Sequence, residues 1–308
     1  MSTKKAIDVI GVPLDLGVKE LGLKLGPDAL REAKLIEIFQ DLGIDVRDRG
    51  NIEISTRRSG NNACHIESIT KCCNNVAVLV RESLTSGRIP ICLGGDHSLA
   101  IGSVAAIMSV LAKVGILWLD AHPDANTPET SPSGNIHGMP IAIMLGCGPE
   151  ALVAVRPKGR HLGVEDLVLL GVHDIDEGEA TFIREHNVQM LTIFDVLEQG
   201  LPVIVNQIIG QLSEKTRNLH ISLDLDVLSE TVAPGVGLPS RGGFDMREML
   251  YICRRFASEC NVTSIDVVGL NPVRDKNMVT AHCAIEIIME LLGCPLSYNY
   301  YTYLKAQT

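Results

Sequence analysis

Three short segments of the sequence place histidine and aspartate side chains at spacings that could bind divalent metal ions. They read GGDHS at Gly94–Ser98, DAHPD at Asp120–Asp124 and DLD at Asp224–Asp226. The candidate ligands in these segments are two histidines and four aspartates: His97, Asp120, His122, Asp124, Asp224 and Asp226. So many carboxylates are costly to bury together unpaired, because repulsion and desolvation oppose it. Bound cations are therefore predicted.

The types of donor atom indicate which cation. Imidazole nitrogen and carboxylate oxygen, without a thiolate, suit manganese or another ion of octahedral preference better than zinc, cobalt or nickel. Six side chains hold two ions only if some carboxylates bridge. Taken singly, each segment has a structural explanation, such as a surface loop or a helix N-cap. Their joint position at the ends of three strands favours a metal site.

The strands that must position these segments are predicted from short apolar runs, typical of strands buried on both faces. They are Ala6–Val12, Ile89–Leu93, Val114–Leu119, Leu167–Val172, Leu219–Leu223 and Ser264–Val268. Helices are predicted at Pro27–Leu42, Ile66–Ser86, Ser98–Lys113, Glu179–His186, Val203–Lys215, Met246–Glu259 and Thr280–Leu292. This alternation predicts one doubly wound, mainly parallel α/β domain over residues 1–308, with helices on both faces. Sites in such folds form outside the carboxyl ends of the strands.

Composition narrows the class of protein further. The chain has 308 residues, 46% of them hydrophobic, and a formal net charge of −10. That charge argues against nucleic acid or an anionic membrane surface as a partner. No apolar run reaches the roughly 18 residues of a membrane span, and no signal peptide is evident. The nine cysteines form no CxxC pair, which predicts a reduced, cytoplasmic chain with most thiols in the core.

The segments GGDHS, DAHPD and SLDLD, in that order, resemble the metal signatures of the ureohydrolases, the family of arginase and agmatinase. The resemblance extends from GVPLDLGVKELGLKLGPDALR near the start to Leu270–Pro272. It implies an arginase-like three-layer α/β/α fold and two manganese ions per chain. The ligands it implies are His97, Asp120, Asp124 and Asp224 for one ion, and His122, Asp120, Asp224 and Asp226 for the other. Asp120 and Asp224 would bridge.

Within that family the resemblance is to the arginase branch. The segment that begins DAHPDANT and ends NIHG is similar to the loop that binds an amino acid's α-carboxylate, which implies contacts from Asn126, Ser133 and Asn135. The segment DIDEGE is similar to the one that receives the α-amino group, which implies Asp176 and Glu179. Neutral donors suit a carboxylate, and acids suit an ammonium group.

The implied reaction is the hydrolysis of L-arginine to L-ornithine and urea. A water activated by two metal ions attacks the guanidinium carbon. Asp226 orients this water, and His137 occupies the position of the general acid that protonates the departing amine. A loop histidine satisfied by its neighbours is the alternative for His137. The resemblance also implies a homo-oligomer, either a trimer or a dimer of trimers. The tyrosine-rich tail Tyr298–Thr308 could pack on a neighbouring subunit or on its own chain.

The sequence departs from the family where the guanidinium should bind. Gly269 stands at the position of a guanidinium-binding glutamate, and Leu238 at that of a threonine. Loss of such a carboxylate costs about 1.5–3 kcal/mol of binding. Three functions therefore stay open: an arginase of weak or ordinary activity, a hydrolase of another ureido, formimino or guanidino amino acid, and a non-catalytic binding or regulatory protein. On the sequence alone, Gly269→Glu is expected to raise kcat/KM for L-arginine.

Overall fold

The computed structural model describes residues 5–55 and 65–294, and these form an eight-stranded sheet with helices on both faces. The strands are β1 Ala6–Val12, β2 Asp45–Asn51, β3 Ile89–Gly94, β4 Gly115–Leu119, β5 Leu167–Val172, β6 Gln189–Thr192, β7 Asn218–Asp224 and β8 Asn261–Val268. Their order across the sheet is β2-β1-β3-β8-β7-β4-β5-β6. Every neighbouring pair is parallel, as the alternation of strands and helices predicts.

The helices connect successive strands and cover both faces of the sheet. They are α1 Gly26–Glu32, α2 Leu35–Asp41, α3 Ile66–Thr85, α4 Ala100–Val110, α5 Pro140–Leu145, α6 Glu150–Val153, α7 Glu177–His186, α8 Ile193–Gln199, α9 Leu201–Lys215, α10 Met246–Glu259 and α11 Val279–Leu291. Alternate residues of each central strand face opposite layers. In β4, for example, Leu117 packs in the core on the side of α9 and α10, whereas Trp118 packs beside α4 and α5.

All six predicted strands are confirmed, with ends that differ by at most three residues. The two strands missing from the prediction lie at the edges of the sheet. β2 reads DVRDRGN, too polar to indicate a buried strand, and β6 has only four residues. The predicted helix Pro27–Leu42 is two helices, because Lys34 between them adopts a left-handed conformation with φ 74°.

The cysteines described pack in or against the hydrophobic core, four of the eight fully buried and the other four partly buried. Cys72, Cys73, Cys92 and Cys253 are buried, and none of the eight described cysteines is in a disulfide. The predicted packing of the tail Tyr298–Thr308 lies outside the described residues. Among the described helices, none is both long and apolar enough to cross a lipid bilayer.

The parallel sheet determines where the candidate metal ligands lie. β3, β8, β7 and β4 are consecutive at its centre, and their carboxyl ends meet at one edge. GGDHS follows β3, DAHPD follows β4 and DLD follows β7. The candidate ligands are therefore brought together by strands that are far apart in sequence.

A buried ion pair stabilises the end of the sheet that contains β1 and β2. Asp8 on β1 is fully buried, and its carboxylate accepts hydrogen bonds from Arg47 Nε at 3.0 Å, Arg88 Nε at 2.6 Å and Ser83 Oγ at 2.7 Å. Burial alone would raise the pKa of Asp8, but these hydrogen bonds outweigh it and lower the pKa to about 2. The carboxylate thus ties β1 to the polar edge strand β2 and to α3.

We expect Asp8→Ala to lower the free energy of unfolding by about 2–3 kcal/mol, because it removes one hydrogen-bond partner each from Arg47, Arg88 and Ser83. Because the folded pKa lies below the ordinary value, this stabilisation is fully present above about pH 4 and is lost as the pH falls towards 2. Urea unfolding at pH 7 and at low pH measures both effects. Arg241→Ala is the control, since Arg241 pairs with Glu230 on the surface, where ion pairs contribute about 0–1 kcal/mol. Equal losses from the two variants would contradict the assignment.

Candidate metal centre

The six predicted ligands converge on one site at the carboxyl edge of the sheet. All are buried except His122, which is half-buried. Five of them form two groups whose ligand atoms lie within 4.8 Å of one another: His97 with Asp120 and Asp224, and His122 with Asp120 and Asp226. The sixth, Asp124, is in neither group, but its Oδ2 lies 3.1 Å from His97 Nδ1. Asp120 belongs to both groups.

In the first group, His97 presents Nδ1 to the carboxylates. This atom lies 2.9 Å from Asp120 Oδ2, 3.1 Å from Asp124 Oδ2 and 3.6 Å from Asp224 Oδ2. The opposite nitrogen, Nε2, is 2.8 Å from Ser222 Oγ, which fixes the orientation of the ring. The imidazole also stacks on Trp118, with ring centroids 3.9 Å apart.

In the second group, His122 Nδ1 lies 3.3 Å from Asp226 Oδ2 and 3.4 Å from Asp120 Oδ1. The two oxygens of Asp120 therefore face different histidines: Oδ2 faces His97 and Oδ1 faces His122. This is the geometry of a carboxylate that can bridge two ions. Asp224 lies in the first group, and its bridging role remains a prediction.

The donor set fits divalent ions. Ligand atoms about 3 Å apart have the spacing of adjacent ligands around one ion when each metal–ligand bond is about 2.1 Å long. Asp124 Oδ2 is buried without hydrogen-bond geometry to any partner, as a ligand oxygen would be before an ion binds. Burial and the repulsion of Asp120 raise the pKa of Asp124 to about 7, and burial also raises the pKa of Asp226. Cations bound between these carboxylates would offset both the cost of burying them and their mutual repulsion.

The residues predicted to bind an amino acid lie on two adjoining segments beyond the metal groups. Asn126 Nδ2 donates to Asp176 Oδ2 at 2.7 Å, so the two segments are joined. Ser133 is exposed, and its Oγ accepts from the backbone N–H of Asn135 at 3.1 Å. The neutral donor Asn126 and the carboxylate of Asp176 therefore lie side by side.

Asp176 and Glu179 form a capping box at the start of α7. The N–H of Glu179 donates to Asp176 Oδ1 at 2.9 Å, and the N–H of Asp176 donates to Glu179 Oε2 at 3.3 Å. Glu179 is buried and also accepts from the N–H of Ala125 at 3.3 Å, whereas Asp176 is only half-buried. Asp176 is therefore the more accessible carboxylate, and Glu179 orients the helix and the loop beside it.

His137 lies in a short 3-10 turn, Ile136–Gly138, and is half-buried. Its Nε2 is 3.5 Å from Asn135 Nδ2, and its backbone N–H donates to Gly17 O at 3.1 Å. Burial and the nearby His122 lower the pKa of His137 to about 3. Because this lowered pKa leaves the imidazole neutral near pH 7, His137 must take up a proton before it can act as the predicted donor, and that role stays a prediction.

The structure argues against the expectation that Gly269→Glu would improve the site. Gly269 has φ +84°, a conformation that favours glycine, and a Cβ built there would lie 2.1 Å from Asp224 Oδ1. Any side chain at this position therefore pushes against a candidate metal ligand. The absence of a side chain at Gly269 leaves room for the Asp224 carboxylate. Replacing Gly269 with glutamate therefore does not by itself recreate a guanidinium-binding site.

Several residues that support the ligands were missed from the sequence. Ser222 and Trp118 contact the ring of His97, and Trp118 Nε1 donates to Asp120 Oδ2 at 3.1 Å. Asp174 Oδ2 lies 3.6 Å from His122 Nε2. Period-two alternation would have placed Ser222 on the same face of β7 as Asp224, but nothing local marks it as a partner of His97.

Comparison with known proteins agrees with this geometry. The model of the Arginase family matches residues 5–294. The chain is 38% identical over 294 residues to the arginase of Bacillus caldovelox, covering 94% of this chain and 98% of that one. The crystal structure of arginase from Bacillus subtilis superposes with a TM-score of 0.89 at 37% identity, covering 95% of this chain and all of the other.

A more distant relative gives the same fold. The structure of Entamoeba histolytica arginase in complex with L-ornithine superposes with a TM-score of 0.87 at 28% identity, and the match covers 95% of this chain. The match therefore spans the sheet and every strand end that carries a candidate ligand. The chain belongs to the arginase family and is a metal-dependent amidine hydrolase.

Proposed function

We propose that this protein binds two manganese ions and hydrolyses L-arginine to L-ornithine and urea. The observation that carries the proposal is the carboxylate of Asp120, whose oxygens face His97 and His122 separately. The preference for manganese rests on the imidazole and carboxylate donors, to which no thiolate contributes. The relatives named as arginases support the substrate. On the resemblance alone, we further propose a cytoplasmic homo-oligomer, either a trimer or a dimer of trimers.

The amino-acid end of the substrate would be recognised by the two segments joined through Asn126 and Asp176. Asn126, Ser133 and Asn135 offer neutral donors for an α-carboxylate. Asp176 and Glu179 are the acids that would receive an α-ammonium group. Asp176 is the more accessible of the two, whereas burial raises the pKa of Glu179 to about 8. This arrangement favours ligands that carry both groups over agmatine, which lacks the carboxylate.

The reacting end would lie at the ligand groups. When bound, the two ions supply a water of lowered pKa that can attack the guanidinium carbon. Asp226 would orient that nucleophile by accepting a hydrogen bond from it. His137 would deliver a proton to the departing amine nitrogen of ornithine after first taking one up, because its lowered pKa keeps the free imidazole neutral near pH 7.

A second candidate function follows from Gly269. Its carbonyl accepts from the N–H of Gly237, and its missing side chain leaves no carboxylate there for a guanidinium. A neutral distal group, such as a ureido group, would lose no charge-assisted hydrogen bond from that absence, and a formimino group presents a smaller cation than a guanidinium. Hydrolysis of another amino acid with such a distal C–N bond is therefore the alternative substrate class.

Product release from manganese-loaded protein tests the function and the substrate preference together. We expect urea from L-arginine, and kcat/KM at least ten-fold lower for agmatine because it lacks the α-carboxylate. The same panel should include a ureido and a formimino amino acid, with ammonia and formamide release measured beside urea. Faster turnover of agmatine would contradict the arginase assignment. Faster turnover of the ureido or formimino compound would select the second candidate function.

Metal content tests the bridging role of Asp120. We expect close to two manganese ions per chain in the wild type and loss of both in Asp120→Ala, because each group loses a ligand. Asp124→Ala should retain the ion of the His122 group, since Asp124 contacts only His97 among the two histidines. Asp245→Ala, which removes a helix cap on α10, is the control and should keep both ions. An Asp120→Ala protein that keeps one tightly held ion would show that the carboxylate does not bridge.

Substitution of Gly269 should impair the site. We expect both Gly269→Ala and Gly269→Glu to lower manganese occupancy and kcat/KM, because the added Cβ displaces Asp224. Gly242→Ala is a matched control: Gly242 also has a left-handed backbone, with φ +90°, but nothing lies within 4 Å of its Cβ position. It should lose only about 1–2 kcal/mol of stability and no metal. A folded Gly269→Glu protein with both ions and faster arginine hydrolysis would reverse this conclusion.

A further inference from the structure

The loop after β1 lies directly against the turn that carries His97. The N–H of Gly95 donates to Val12 O at 3.0 Å, and the N–H of Asp96 donates to Leu14 O at 2.6 Å. The contact is so close that a Cβ on Gly95 would lie 1.9 Å from Leu14 O. Backbone hydrogen bonds therefore join the loop to the turn that carries His97 in one packed unit.

Asp96 holds this unit together through its side chain. The carboxylate is 1% exposed, and both of its oxygens accept backbone N–H groups. Oδ1 accepts from Ser98 at 3.0 Å, within the turn that follows β3, and Oδ2 accepts from Gly17 at 2.8 Å, in the loop after β1. Asp96 belongs to neither ligand group, although it adjoins His97 in sequence. Charge-assisted bonds of this kind are about twice as strong as neutral ones.

Gly17 connects that carboxylate to His137. Its N–H donates to Asp96, and its carbonyl accepts the backbone N–H of His137 at 3.1 Å. No space remains for a side chain, because a Cβ on Gly17 would lie 2.2 Å from Ser98 Oγ and 3.1 Å from the nitrogen of His137. Two hydrogen bonds made by Gly17 thus connect the turn Asp96–Ser98, which carries the candidate ligand His97, to the turn Ile136–Gly138, which carries His137.

We propose that Asp96 is a positioning residue that sets the place of His137 relative to the metal centre, acting through Gly17. The inference rests on the proposed role of His137 as proton donor. Proton transfer requires the donor within hydrogen-bond reach of the leaving nitrogen, and a displacement of about 1 Å can cost 100-fold in rate. A carboxylate fits the position because both neighbours are N–H donors. An asparagine of the same shape would turn an NH₂ group towards one of them.

Kinetics of Asp96→Asn in the manganese-loaded full chain test the proposal. We expect kcat to fall at least ten-fold while KM stays within about three-fold and the manganese content stays at the wild-type value. In a His137→Asn background, adding Asp96→Asn should change kcat by less than two-fold, because the group that it positions is already gone. Multiplied losses in the double variant would overturn the proposal, since they would show that Asp96 acts independently of His137.

Hydrogen exchange provides a readout that needs no activity. Peptides that cover Asn135–Met139 and Leu14–Val18 should exchange faster in Asp96→Asn, and peptides of β4 and β7 should not. Asp195→Asn, which alters a remote capping box on α8, is the matched control and should leave these peptides unchanged. If wild-type protein hydrolyses no substrate, the proposed function fails, and the exchange result still decides whether Asp96 holds the turn of His137. Unchanged exchange at Asn135–Met139 would overturn the positioning role.

Gly17→Ala keeps the test available if Asp96→Asn fails to fold or loses its ions. The variant retains the carboxylate but drives the loop away from Ser98, so it breaks the same connection from the other side. We expect the same ten-fold loss in kcat and the same lack of further loss in the His137→Asn background. Full activity of Gly17→Ala would contradict the proposed connection.

Discussion

The main physical constraint on this structure is the repulsion among the carboxylates that the sheet brings together at its carboxyl edge. Asp120, Asp124, Asp224 and Asp226 are all buried within one small volume, and burial raises the pKa of three of them. Only His97 and His122 oppose that charge among the candidate ligands. The apolar strands that carry these groups must therefore stabilise an arrangement that is unfavourable until cations bind. A rigid parallel sheet, buried on both faces, is suited to that task.

Close backbone approach is the second constraint around the site. At Gly95, Gly17 and Gly269 a Cβ would lie 1.9, 2.2 and 2.1 Å from a neighbouring oxygen atom. In each case the neighbour is part of the metal-binding turn, the loop beside it or a candidate ligand. Glycine at these positions allows three segments from distant parts of the chain to pack around the ligands without intervening side chains. The same closeness explains why position 269 cannot simply receive a glutamate.

The sequence predicted the sheet and the ligands because both leave local signals. Apolar runs mark β3, β4 and β7, and the polar residues directly after them mark the site. The polar edge strand β2 was missed because its arginines are satisfied by Asp8, a contact between residues 39 apart that no local pattern shows. The bond between Gly17 and Asp96 joins residues 79 apart and was equally hidden. The expectation for Gly269 did not take the φ of +84° into account, because a glycine in a sequence does not disclose its backbone torsion.

The capping box of α7 has a consequence for how this protein can change over evolutionary time. Asp176 and Glu179, the acids proposed to meet a substrate ammonium group, also satisfy backbone N–H groups at the start of the helix. A helix cap of this type contributes about 1 kcal/mol to stability. A mutation that alters the choice of substrate at either position therefore also weakens the start of a helix. Drift towards new substrates is thus constrained by folding as well as by catalysis, and tolerated changes are expected to keep an oxygen acceptor at position 176.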